Sequence, residues 1–287
     1  MRRAVPWFDL AIGIGAPGAG LVLLATGIDR LGPLSFLGWR SLLLAIPGVL
    51  LARPSATAWR DALPAAAALV LALGMLGNAL AGGDVATVAV VAIGIALGIG
   101  PLVHAAACPR LPTLAEGLGG ALVVAGIAVL GIVDGAGPEV WLAGAAGIGF
   151  AGVVVLTERV IHDHPAPAIV MPQVLVAGAV LVGAGALLGE TWLPGTDLFP
   201  LLAVTGLGTG LAAMLARWRG AEVLGPRAAR LALPAEILVA VAVAIWAGGR
   251  APDPALWAAL GLVVAGTVVV AWHPGPLAET ELFSAGR

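Results

Sequence analysis

The 287 residues are 60% hydrophobic and only 10% charged, with a mean hydropathy of +1.06. That excludes a soluble globular domain, because one aqueous core could not hide so much apolar surface. A net charge of −2 lacks the basic excess a nucleic-acid partner needs, and the single cysteine, Cys108, can form neither an internal disulfide nor a thiolate cluster.

The chain opens Met1-Arg2-Arg3 and turns apolar from Trp7. A secretion signal starts in the same way, but further apolar stretches follow to the end, so this is read as a first membrane span. About twenty apolar residues cross a hydrocarbon core about 30 Å thick. On that rule spans are expected at 8–27, 33–52, 64–82, 85–106, 112–132, 138–157, 166–188, 198–217, 224–247 and 254–272. The breaks between them are short and carry proline, glycine or charge, as at Asp29-Arg30 and Gly82-Gly83-Asp84, with the longest from Arg53 to Leu63. Such loops join neighbouring helices as hairpins. The expected fold is an all-α integral membrane protein of about ten transmembrane helices.

Shifting the chain by 140 residues lays Arg110-Leu-Pro112 on Arg250-Ala-Pro252 and Val123-Val-Ala-Gly126 on Val263-Val-Ala-Gly266. Five spans per half is an odd number, so the second half must enter the membrane from the opposite face. The expected organisation is therefore two inverted five-helix repeats, 1–135 and 136–273, and a tail from 274 to 287. Arginine sets the orientation, since cytoplasmic loops retain positive charge. With both ends inside, Arg2, Arg3, Arg53, Arg60, Arg110, Arg159, Arg217 and Arg219 fall on the cytoplasmic side, with Arg227 at a helix entrance. Only Arg30 and Arg250 fall outside. A multi-pass protein of the cell membrane with cytoplasmic termini follows.

Several segments resemble the ten-helix EamA-type members of the drug/metabolite transporter superfamily, over nearly the whole chain. Gly32-Pro-Leu-Ser-Phe-Leu-Gly-Trp-Arg40-Ser-Leu is similar to the family's second helix, with its arginine after a Pro-Leu start. Leu118-Gly-Gly-Ala-Leu-Val-Val-Ala-Gly126 and Gly261-Leu-Val-Val-Ala-Gly266 resemble the glycine-spaced end of each repeat, and Leu233-Pro234-Ala-Glu236 the element before the second. The family's Leu-Gly-Glu signatures are replaced by Ala107-Cys108-Pro109-Arg110 and Ala247-Gly248-Gly249-Arg250. The resemblance implies a secondary carrier of small, amino-acid-like polar metabolites, more an exporter than an importer, and no enzyme. A lipid-modifying membrane enzyme and a non-transporting scaffold are the alternatives. The expected partners are a small-molecule substrate and the lipid bilayer, with a homodimer left open; no cofactor is expected.

An ionisable side chain at the bilayer centre costs roughly 2.5–3.5 kcal/mol on insertion scales and marks a use or a partner. Arg40, about seven residues into the second span, offers a permanent charge and a planar fork that fits carboxylates; its structural alternative is a pair with a helix end or an acid. Asn78 and Gln173 offer neutral hydrogen-bonding groups to a cavity, or else hold helices together. Glu236, counted about twelve residues into the ninth span, is expected near the midplane as a proton-coupling and substrate-binding acid. Arg230 turns away from it by about 240°, and Pro234 leaves the Arg230 carbonyl without its usual donor.

His104 is read as an interfacial histidine. Glu158, Arg159, His162, Asp163 and His164 read as a solvated turn and not a metal site. Gly206, Gly208 and Gly210 lie inside an apolar span with no preceding strand, which removes the dinucleotide-binding reading. With Gly94 and Gly98 they allow helices to approach closely. Prolines 17, 47, 101, 172 and 234 are expected to bend their helices.

Overall fold

The computed structural model describes residues 5–107, 110–133, 135, 137–224, 231–248 and 253–272. Nine helices among them are long and apolar enough to cross a membrane, and a tenth, Pro234–Gly248, is shorter. In chain order they are α1 (Val5–Leu31), α2 (Pro33–Ala52), α3 (Ala56–Gly82), α4 (Val85–Ala107), α5 (Leu114–Val133), α6 (Pro138–Glu158) and α7 (Ala166–Leu187). Next comes α8, in three consecutive pieces, Phe199–Ala203, a π-helical Val204–Ala212 and Ala213–Leu224. The last two are α9 (Pro234–Gly248) and α10 (Pro254–Trp272).

Backbone groups facing lipid have no water to bond, so each span satisfies its own as a helix. The ends are set by local chemistry. Ser55 accepts from the Ala58 N–H and starts α3; Asp84 accepts from the Thr87 N–H and starts α4. Thr113 and Glu116 form a reciprocal capping box, with the Glu116 N–H on the Thr113 hydroxyl and the Thr113 N–H on the Glu116 carboxylate. Glu190, from beyond the end of α7, accepts from the N–H groups of Leu34 and Ser35 and closes the start of α2. The charge also suits the positive end of that helix dipole.

Exposed tryptophans mark both rims: Trp7 and Trp272 on the side where α1 begins, and Trp141, Trp192, Trp246 and Trp257 on the other. Between them the surface carries exposed leucine, isoleucine and valine. An apolar band between two tryptophan belts is the surface of a protein embedded in a membrane.

Helix packing follows a shift of five spans. α2 packs on α7, α5 on α10 and α4 on α9, while α1 packs on α8 and α9 as α6 packs on α3 and α4. The contacts are reciprocal at the residue level. A Cβ on Gly126 would lie 2.8 Å from the Ala259 carbonyl oxygen, and one on Gly266 would lie 2.5 Å from that of Gly119. Gly38 and Gly178 each face the other's carbonyl oxygen at 2.9 Å. Residues 119 and 259, 126 and 266, and 38 and 178 are all separated by 140, the shift read from the sequence.

Two expectations need correcting. Of the stretch 53–63 only 53–55 is a loop: Ser55 caps a helix that runs from Ala56 through Pro64 to Gly82, because proline at 64 costs only one internal bond while the apolar face continues. Glu236, counted about twelve residues into its span, stands in the first turn of the helix Pro234–Gly248. Residues 225–230, including Arg227 and Arg230, lie outside the described residues, as do Cys108, Arg250 and the tail from 274.

Candidate charge sites within the bundle

Small residues bring α1, α8 and α9 together. A Cβ on Gly13 would lie 2.5 Å from the Arg217 backbone nitrogen, one on Gly20 2.7 Å from the Thr209 hydroxyl, and one on Gly18 2.7 Å from the Glu236 carbonyl oxygen. Where α1 and α8 touch through glycine, Arg217 donates from Nε to the Gly13 carbonyl at 3.1 Å and from Nη2 to Glu236 Oε2 at 2.5 Å. The ion pair is reachable, with side chains 32% and 17% exposed. It joins α8 to α9 within the second half and ties both to α1 of the first. The sequence places Arg217 on the cytoplasmic side at the end of a span and, with Arg230 turned away, offers Glu236 no direct cation. The helix in fact continues past 217 to Leu224, so its guanidinium can turn back into the bundle.

Arg40 sits elsewhere. The Cβ of a residue at 206 would lie 2.9 Å from the Arg40 carbonyl oxygen, so α2 rests directly on Gly206 of the π-helical segment. Depth can be read against α1. Phe36 lies on Gly27 and Arg217 on Gly13. α2 runs antiparallel to α1, so Arg40, four residues beyond Phe36, is level with about residue 23, four before Gly27. The ten residues from 23 to 13 place the Arg40 and Arg217 backbones about 15 Å apart in depth at about 1.5 Å per residue. Arg40 is half-buried; its Nε is buried without a partner, and no hydrogen bond or ion pair engages the side chain among the described residues.

The two amides go to other places. Gln173 is buried and exchanges hydrogen bonds with the Thr157 hydroxyl of α6, at 3.1 and 3.2 Å. Asn78 is exposed and donates to the Gly74 carbonyl of its own helix at 2.8 Å. Met171 meets Gly48, which sets Gln173 level with about residue 46 of α2, while Gly77, next to Asn78, meets Pro33 and Leu37. The two amides are therefore separated by about 16 Å of depth, and the four residues singled out in the sequence do not converge on one point.

Polar groups also gather where α3 and α5 begin and where α4 and α6 end. His164 Nε2 lies 3.2 Å from Asp61 Oδ2, His104 Nε2 lies 3.0 Å from Glu158 Oε2, and Arg159 donates to the Ala107 carbonyl. Arg110 holds Glu116 in a two-pronged pair at 2.7 and 2.8 Å. The 158–164 turn is thus tied to α3 and α4 instead of being simply solvated. No group of three or more metal-ligating side chains occurs among the described residues.

No protein-family model and no curated protein matches the chain. A crystal structure described only as that of a protein resembles it at a TM-score of 0.64, with 19% identity over 91% of this chain and 96% of the other. At that identity the likeness is one of fold alone.

Proposed function

We propose that the protein is a secondary carrier of small polar, amino-acid-like metabolites, of the EamA type, built from two inverted halves, 1–135 and 136–273, that open a central path alternately to each face. The observation that carries this reading is Arg217, which bonds Gly13 of the first half and Glu236 of the second inside the membrane-spanning bundle. A rigid scaffold gains little from charges at such a seam, since an apolar pair of similar volume is often as stable or more so. A carrier gains a contact that can break and re-form as the halves rock. The reciprocal glycine contacts supply the matching halves.

In this reading the termini are cytoplasmic in the cell membrane, the Arg217–Glu236 clamp closes the cytoplasmic side, and the direction of flux is outward. A lipid-modifying enzyme is less well supported, because the groups it would need near one surface, Asp61, His104, Glu158 and His164, are engaged with one another. The test is flux in proteoliposomes carrying the purified protein, with a radiolabelled amino-acid panel under imposed proton gradients of either sign and in counterflow. Saturable movement of at least one solute is expected; none in any mode overturns the proposal.

A further inference from the structure

We infer that Arg40 is the receptor for the single carboxylate of an organic monoanion or zwitterion, which narrows the cargo to solutes bearing that group; this rests on the carrier reading above.

Four basic side chains in and around the spans are each matched by an acid. Arg217 has Glu236, Arg110 has Glu116, His164 has Asp61 and His104 has Glu158. Arg40 has no such partner among the described residues, and its Nε is both buried and unbonded. The acid that approaches the same helix, Glu190, already spends both oxygens on the N–H groups of Leu34 and Ser35. An arginine cannot shed its proton to escape the low dielectric, so an unmatched one in a span calls for an anion. The matched pair at Arg217 makes no such demand, which is why the anion is assigned to Arg40.

A second observation falls at the same place. The segment of α8 against which Arg40 rests, Val204–Ala212, is π-helical. Its counterpart under the five-span shift, α3, is α-helical throughout. The bundle therefore departs from its own internal symmetry beside the unmatched cation, and π-helical turns recur at functional sites.

The chemistry selects a carboxylate. The planar guanidinium fits one with two parallel hydrogen bonds. A dianion would leave a net negative charge on a single cation, and a solute without a carboxylate would leave Arg40 unmatched. A lipid phosphodiester shares the single negative charge, but Arg40 lies about 10 Å along α2 from its end, deeper than a headgroup sits.

The experiment uses the full chain in phosphatidylcholine nanodiscs and follows thermal unfolding with short monocarboxylates and L-amino acids, each paired with its primary amide. We expect at least one carboxylate to raise Tm while its amide does not. Arg40→Gln should abolish that shift, weakening the apparent affinity roughly tenfold or more, and leave the unliganded Tm unchanged or higher. Arg40→Lys, which keeps charge without the fork, should fold and bind with intermediate affinity. The inference is overturned if no carboxylate stabilises the wild type, if amides serve equally, if Arg40→Lys binds unchanged, or if Arg40→Gln lowers the unliganded Tm while the ligand shift persists. Stabilisation only in discs containing phosphatidylglycerol would make this a lipid site and overturn it too. Flux of a solute lacking a carboxylate that Arg40→Gln leaves intact would sink this inference and spare the carrier; carboxylate binding without any flux would do the reverse.

Discussion

Arg217 and Glu236, nineteen residues apart in sequence, meet at 2.5 Å against the Gly13 carbonyl of a third helix. Removing one partner leaves the other charged in the bundle, which for a fully buried pair costs about 3–5 kcal/mol. Partial exposure of both side chains reduces that. Arg217→Gln and Glu236→Gln are each expected to lower stability by about 1–3 kcal/mol, and the double variant by less than the sum of the two. Unfolding in mild detergent across this double-mutant cycle measures the coupling; additive losses would mean that the pair contributes nothing jointly.

If the clamp holds one face closed, loosening it should admit water there. Gly15 lies two residues beyond the clamp on α1, and a Cβ at that position meets nothing within 4 Å. A cysteine at Gly15, in a Cys108→Ala background, should react faster with a hydrophilic thiol reagent when Arg217 is replaced by Gln. An unchanged labelling rate would argue that Arg217 serves packing alone.

The reciprocal glycines make a contrast within one helix. Gly266→Val must push α5 and α10 apart, since even a Cβ would sit 2.5 Å from the Gly119 carbonyl oxygen, and a loss of about 1–3 kcal/mol or more is expected. Gly261→Ala, five residues earlier, meets no atom within 4 Å and should be neutral or stabilising by up to about 1 kcal/mol through helix propensity. Comparing the two unfolding midpoints tests the packing against a position where only propensity acts.

Gln173 is expected to act as a tie between α6 and α7. Gln173→Leu should cost about 0.6–1.7 kcal/mol, the range for hydrogen bonds between helices in membranes. Adding Thr157→Val should recover part of it, because the hydroxyl no longer lacks its partner. Transport affinity should not change. A specific loss of affinity with stability intact would return Gln173 to the substrate path.

Orientation is tested by single cysteines in the Cys108→Ala background. One at Gly137 should be labelled in intact cells by an impermeant reagent and one at Ser55 should be shielded. The opposite pattern would turn the protein over and put the Arg217 clamp on the outer face.

Lipid as solvent is what made the sequence informative. Every span must be about twenty apolar residues of self-satisfied helix, so the number of spans and most of their positions can be counted without knowing how they pack. Glycines that let two backbones touch also stand 140 residues apart in the sequence, at Gly126 and Gly266, and they pack against the carbonyl oxygens of Ala259 and Gly119, positions with the same separation. Helix ends were less legible where a side chain overrides a proline or a charge, as Ser55 does before Arg60, Asp61 and Pro64. Charge pairing was not legible at all. Whether Glu236 answers Arg230 or Arg217 depends on how α8 returns beside α1 and α9, and the decisive contact is a glycine at position 13 that lets two backbones approach. Arg40 could be seen as costly from the sequence, since a membrane arginine always is. That it meets no acid among the described residues, while Arg217 and Arg110 each meet one, was decided by helix packing, because partners in a bundle are chosen by depth and facing and not by distance along the chain.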